Sequence, residues 1–177
     1  MNTMDVKEYR KIIAGQRSRE AGATFENDLA ASLEWYEEHG ILKAAKTPEP
    51  MKVIKRLDGG RFVACFEKKA QVDFSGTLKG GRAIRFEAKQ TWGDHFDRKR
   101  LSDEQMNDLR EHQKLGALCF IVLCFGYKDI YRVPWDVWDN MKATFGRQYV
   151  TEIDLQEYKL PYIGGVIKIL DGIPLQD

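Results

Sequence analysis

The 177-residue chain carries 28 Lys and Arg against 27 Asp and Glu, with 43% hydrophobic and 31% charged residues. That length suits a single domain with a real core. No apolar run approaches the ~20 residues of a membrane span and the N-terminus is too polar for a signal peptide, so a soluble, cytoplasmic protein with no membrane partner is expected. Cys65, Cys119 and Cys124 are odd in number and sit in apolar strand-like runs, as expected of buried free thiols in a reducing compartment. Neither they nor His39, His95 and His112 have zinc-site spacing.

The neutral total hides an uneven distribution. From Ile41 to Ala70 there are eight Lys or Arg and three acids, whereas from Gly126 to Asp177 there are six against eight. A basic face of this kind is the footprint of a polyanion binder, although a solvated charged surface produces the same numbers.

Residues Met1 to Arg19 carry Lys7, Arg10, Lys11, Arg17 and Arg19 with weak periodicity, which suits either a basic arm that orders on DNA or a frayed terminus. From about Ala21 to His39, Phe25, Leu29, Leu33 and Tyr36 recur at helical spacing, and Gly40 is a natural stop. Glu26 falls near the start of this helix, where the dipole favours a carboxylate. The stretch KTPEP at 46–50 breaks any helix and leads into a hairpin, Met51 to Leu57 and Arg61 to Glu67, joined at Asp58-Gly59-Gly60. Its Lys52, Lys55 and Arg56 suit a ridge that grips phosphates; lysines that keep an edge hairpin soluble would look the same.

Gln71 to Lys89 reads as a second hairpin, turning at Lys79-Gly80-Gly81. Alternation puts Val72, Phe74, Ile84, Phe86 and Ala88 on one face, and Gln71, Asp73, Ser75, Arg85, Glu87 and Lys89 on the other. A turn centred on Gly80 sets Asp73 opposite Glu87, with Cβ atoms ~5 Å apart. Facing like charges are unfavourable unless a cation lies between them, and Mg²⁺ fits that description. A one-residue slip would separate the pair, and a polar strand face that simply meets water is the plainer reading.

The loop QTWGDHFDRKR, residues 90–100, mixes aromatics with Arg98, Lys99 and Arg100, a composition suited to nucleic acid. Ser102 to Leu115 reads as a helix opened by a capping box in which Gln105 reaches back to Ser102, and Gly116 ends it. Ala117 to Phe125 is almost continuously apolar, as a strand buried on both faces should be. Tyr127 to Val133 alternates like a strand, and Pro134 can open a short helix carrying Trp135 and Trp138. Tyr149 to Ile153 and Gly165 to Leu170 are strands or short helices, and no internal repeat occurs. This order describes an α/β sheet with flanking helices and the Asp73–Glu87 hairpin near its middle.

The segments VDFSG at 72–76 and FEAK at 86–89, with Gln105 downstream, resemble the PD-(D/E)XK nuclease superfamily, and within it the RecU type of Holliday junction resolvase. G-x-x-F-E at Gly22 to Glu26, Lys46-Thr47-Pro48, and the helix leading into an apolar strand from Leu109 to Phe125 extend the likeness from about Arg19 to Val133. The resemblance implies a restriction-endonuclease-like mixed sheet flanked by helices, in one nuclease domain over 1–177, with a basic arm at 1–19 and a short stalk at 48–69. It implies Asp73, Glu87 and Lys89 as catalytic residues, Asp73, Glu87 and Gln105 as metal contacts, and Mg²⁺ as cofactor, with Mn²⁺ able to substitute. Glu26 and Gln71 are secondary candidates; Gln71 stands where the family usually has Thr, and Val72 where the superfamily has Pro. Arg17, Arg19, Lys52, Lys55, Arg56, Arg98, Lys99 and Arg100 are the candidate DNA contacts. The implied protein is a homodimer cutting four-way DNA in recombination and repair. A nuclease with another DNA substrate, a non-catalytic junction binder and a generic α/β protein are the alternatives.

Overall fold

The computed structural model describes residues 24–48, 50–66 (backbone only at Phe66), 71–127 and 129–175. A five-stranded mixed sheet in the order β1-β4-β5-β7-β8 organises them. Its strands are β1 (Leu42–Lys46), β4 (Phe74–Leu78), β5 (Ala83–Thr91), β7 (Leu118–Phe125) and β8 (Asp129–Pro134). Strands β5 and β7 run parallel and the other neighbours antiparallel. The expected α/β sheet is present, with β5 at its centre.

Helix α1 covers residues 24–38, and Phe25, Leu29, Leu33 and Tyr36 are buried along one stripe. Gly40 adopts φ +65° and ends it, with Gly40 N–H donating to Glu37 O and Ile41 N–H to Tyr36 O, the bond pair of a Schellman motif. That stripe packs on Phe74, Ile84, Phe86, Phe120, Val122 and Cys124 to form one core layer. A second layer lies on the opposite face, where α2 (Asp103–Lys114) and α3 (Trp135–Asp139) cover Ile121, Leu123 and Phe125. Strand β7 therefore sends alternate residues into both cores, the physical reason its sequence is apolar throughout.

Strands β2 (Met51–Arg56) and β3 (Phe62–Phe66) form a separate two-stranded sheet in which every β2 residue is exposed. Cys65 is accordingly exposed, against the expectation of burial, because no layer of the described residues covers β3, whereas Cys119 and Cys124 are buried. The pairing slips at a bulge between Val53 and Lys55. Lys52 faces Cys65 and Lys55 faces Val63, so both lysines share one side of the hairpin despite their odd spacing; Met51, Val53, Arg56 and Phe62 take the other.

The loop at 90–100 contains strand β6 (His95–Asp97), paired antiparallel with β9 (Tyr149–Thr151), and Phe96 is buried core rather than a stacking surface. A short helix α4 (Met141–Phe145) follows α3. The C-terminal part makes a two-stranded turn, β10 (Tyr162–Ile163) and β11 (Val166–Ile167), and then lies against α1. Ile167 N–H donates to Ser32 Oγ at 2.9 Å, Leu170 N–H to Tyr36 Oη at 3.3 Å, and Ile167, Ile169 and Leu170 join the first core. This segment closes the layer over α1. No helix of the described residues is long and apolar enough to cross a membrane.

Candidate active site

The hairpin β4–β5 pairs Phe74 with Phe86, Ser75 with Arg85, Gly76 with Ile84 and Thr77 with Ala83. Gly80 and Gly81 take φ values of +87° and +91° at the turn, conformations that side chains with a Cβ resist. One further step along this register sets Asp73 opposite Glu87. Asp73 N–H donates to Glu87 Oε2 at 3.0 Å, and Ala88 N–H donates to Asp73 Oδ2 at 3.0 Å. The expected juxtaposition of the two acids is present.

Val72 does not continue the alternation. The chain bends at Asp73, before β4 begins, and Val72 packs into the second core with Phe96, Leu101 and Leu109 rather than beside Phe74. The hairpin's polar face is not simply open to water: Asp73, Ser75, Arg85 and Lys89 are half-buried. Helix α2 lies over it, with Arg85 Nη1 bonded to Asp108 Oδ2 at 2.7 Å and Gln105 Nε2 to Glu87 Oε1 at 2.6 Å. Glu87 is 0% exposed, and Ser32 is the other fully buried polar side chain among the described residues.

Burying a carboxylate unpaired is costly, so its partners define the site. Lys89 Nζ donates to Glu87 Oε1, the oxygen that also accepts from Gln105. Burial pushes the Glu87 carboxyl up to about 7, against the pull of Lys89 and with a further upward push from Asp73. The folded protein therefore holds a proton on Glu87 from its ordinary value of 4.5 up to about 7, where the unfolded chain has lost it. Stability from this group is full below 4.5 and lost as pH rises through about 7. In EDTA, the melting temperature of Glu87→Gln should vary less than wild type between pH 5 and pH 8; equal slopes would show that Glu87 does not titrate there.

Gln105 opens α2 as its sequence predicts. Ser102 Oγ accepts from Gln105 N–H at 3.2 Å, and Gln105 Oε1 accepts from Ser102 N–H at 3.0 Å. The amide oxygen, the atom able to ligate a metal, is thus occupied by the cap, and Gln105 reaches the site through its nitrogen. Glu26 forms an ion pair with Lys46, the last residue of β1, whose partner in β4 is Phe74 beside Asp73. Thr47 N–H donates to Asp73 O at 2.7 Å, a contact that no sequence motif signalled, since it depends on where β1 ends. Gln71 is exposed ahead of the bend.

The candidate DNA contacts separate. Arg98 Nη2 bonds to Asp139 Oδ1 at 2.8 Å, sharing that carboxylate with Arg110. Lys99 is 85% exposed, and Arg100 Nη2 donates to Gln90 O at 3.1 Å at the end of β5. Lys52, Lys55 and Arg56 lie on the exposed hairpin. Arg17, Arg19, Gly22, the arm at 1–19 and the end of the second hairpin strand at Glu67 fall outside the described residues.

Among the described residues, no group of three or more His, Cys, Asp and Glu side chains is arranged to hold a metal ion. A cation here would rest on two carboxylates, completed by water and substrate oxygens. That donor set fits Mg²⁺, which keeps several waters and uses one or two carboxylates, better than zinc. Asp73 engages its Oδ2 with Ala88 N–H, and Oδ1 is the oxygen with which it could ligate a cation.

Residues 20–171 match the family model of recombination protein U, RecU. The Holliday junction resolvase RecU of Geobacillus sp. strain WCH70 is 28% identical over 148 residues, covering 77% of this chain and 73% of the relative. That of Ligilactobacillus salivarius is 29% identical over 177 residues, covering 93% and 81%. That of Streptococcus suis is 30% identical over 169 residues, covering 85% and 82%. Among solved structures, Archaeoglobus fulgidus Hjc, a Holliday junction resolvase, matches 77% of this chain and 93% of its own at 15% identity and a TM-score of 0.47.

Proposed function

This chain belongs to the recombination protein U family, and on that premise we propose that it is a divalent-metal-dependent endonuclease that resolves four-way DNA junctions in recombination and repair. The observation that carries the reading is the pairing of Asp73 with Glu87 under α2, with Lys89 bonded to Glu87. Two facing acids, one of them fully buried, make a poor surface for binding DNA but a good seat for a cation.

Asp73 and Glu87 would hold Mg²⁺, or Mn²⁺ in its place. When bound, the ion would polarise the phosphate and lower the pKa of a water. Lys89 supplies a fixed positive donor beside the carboxylates, able to orient the attacking water or to stabilise charge on the phosphate oxygens. Gln105 fixes the rotamer of Glu87 from behind. In the reaction a water oxygen bonds to phosphorus while the bond to the leaving sugar oxygen breaks. The water loses a proton and the leaving oxygen gains one.

The whole chain acts as one nuclease domain in this reading, and residues 48–69 are its DNA-gripping insertion. Symmetric nicking of a junction needs two such clusters related by a two-fold axis, which a homodimer supplies. The β2–β3 hairpin presents Lys52 and Lys55 together along one side. Replacing Lys52, Lys55 and Arg56 by alanine should weaken junction binding and reduce the slope of log affinity against log salt by up to about 3. An unchanged slope would remove this hairpin from the DNA surface.

The direct test compares synthetic four-way junctions, matched duplex and single strands, with and without Mg²⁺. Paired nicks on junctions are expected. Cutting of plain duplex would point to a nuclease with another substrate, and tight binding without cutting in any divalent metal to a binding module.

A further inference from the structure

Two large aromatic side chains stand at the end of the strand that carries Glu87 and Lys89, and the site described above does not use them. Trp92 follows β5 directly and is 51% exposed; Tyr127 follows the end of β7 and is 62% exposed. Their rings meet edge to face, with centroids 4.6 Å apart and planes at 81°. Trp135 and Trp138, by contrast, are buried core. Single exposed aromatics are ordinary on a protein surface, whereas a touching pair in which each residue is more than half exposed needs an explanation.

The backbone holds this pair firmly. Gly126 takes φ +61°, its N–H donates to Thr91 O at 2.9 Å, and its carbonyl accepts from the Gln90 side chain. The turn bearing Tyr127 is thereby tied to the strand end bearing Trp92. A cation is tied to the same place, since Arg100 donates to the carbonyl of Gln90, two residues before Trp92. An exposed π-surface beside a guanidinium offers a nucleotide both things it needs, a face for the base and a charge for the phosphate. Lys89 lies three residues back along the chain, roughly 10 Å at strand spacing, and the bend at Trp92 releases the Trp92 side chain from the strand's strict alternation.

We propose that Trp92 and Tyr127 form a platform for one unpaired nucleobase of the DNA being cut, with Arg100 on its phosphate, so that a base unstacked at the branch point sets which phosphodiester reaches Lys89. This rests on the nuclease reading and adds to it a means of positioning the strand. Stacking on π-faces tolerates any base, so the platform recognises that a base is unpaired rather than its identity.

The test uses four-way junctions with an abasic residue placed in turn at each position flanking the branch. Affinity is measured in EDTA and single-turnover cutting in Mg²⁺. Trp92→Ala and Tyr127→Ala should each weaken binding roughly five- to 150-fold, and Trp92→Phe should recover most of the loss. At one position the abasic residue should weaken wild type by a similar factor, and combining it with Trp92→Ala should add nothing. Losses that multiply at every position, or Trp92→Ala binding as wild type does, would overturn the platform. The affinity arm decides this whether or not the junction is cut. Absence of cutting by wild type sinks only the nuclease reading.

Discussion

Asp73→Asn should lower single-turnover junction cleavage by at least about 10³-fold while leaving junction affinity within about twofold of wild type. The substitution keeps the shape of the side chain and an oxygen able to accept the Ala88 N–H, so the bend before β4 has no reason to move. It removes one of the two negative charges on which a cation would sit. It also removes a charge that pushes the Glu87 carboxyl up, so the metal-free fold should be no less stable than wild type. Cleavage, affinity and the melting temperature in EDTA together check the expectation. Parallel loss of cutting and binding would mean misfolding, and full cutting would take Asp73 out of the site. Lys89→Ala should also abolish cutting, but it is the less clean experiment. It removes the partner of a fully buried carboxyl whose protonation Lys89 holds down, so any loss of activity would be mixed with a change in the charge of Glu87.

Gly76→Ala should destabilise the protein by about 3 kcal/mol or more, enough to leave much of it unfolded at 37 °C. Gly76 lies directly opposite Ala44 in the β1–β4 pair. A Cβ built on it would stand 2.2 Å from Lys43 O and 2.4 Å from Ala44 Cβ. Two of its three nearest neighbours are backbone atoms, so no side chain can rotate away, and β1 must separate from β4 to admit a methyl group. That movement would also pull Thr47 from Asp73. Chemical denaturation measures the effect; a midpoint near wild type would show that the two strands tolerate separation. The glycine of VDFSG is thus explained by close backbone approach rather than by contact with substrate.

The sequence disclosed the site through local rules. Paired glycines at 80 and 81 placed the turn, a turn placed there fixed the register, and the register brought Asp73 to Glu87 fourteen residues away. Helix α1 and its stop, the capping box at Ser102 and the doubly buried β7 were legible for the same reason, each being written within about a dozen consecutive residues. What alternation could not show was which layer would cover each face. The polar side of the β4–β5 hairpin looked like a solvated surface until α2 was seen to lie on it, turning Glu87 from an exposed acid into a buried one.

Three other features depend on contacts between distant parts of the chain. Val72 joins the second core because the chain bends before β4. Lys52 and Lys55 share a side because a bulge breaks strict alternation. The C-terminal turn docks through backbone N–H groups that find Ser32 and Tyr36 more than 130 residues earlier.

By itself, then, the order of residues determined the two long helices, the two hairpins, the buried strand β7 and the acid–acid–lysine grouping, since hydrophobic period, turn chemistry and strand pairing act over short range. The edge strand β1 at Leu42–Lys46 was not among them. Only the tertiary structure decided that Glu87 is dry, that Gln105 buttresses it through nitrogen, that Trp92 meets Tyr127 and that Arg100 is tied to Gln90 two residues from Trp92. Burial and electrostatic environment belong to the packed layers, and no single stretch of chain contains them.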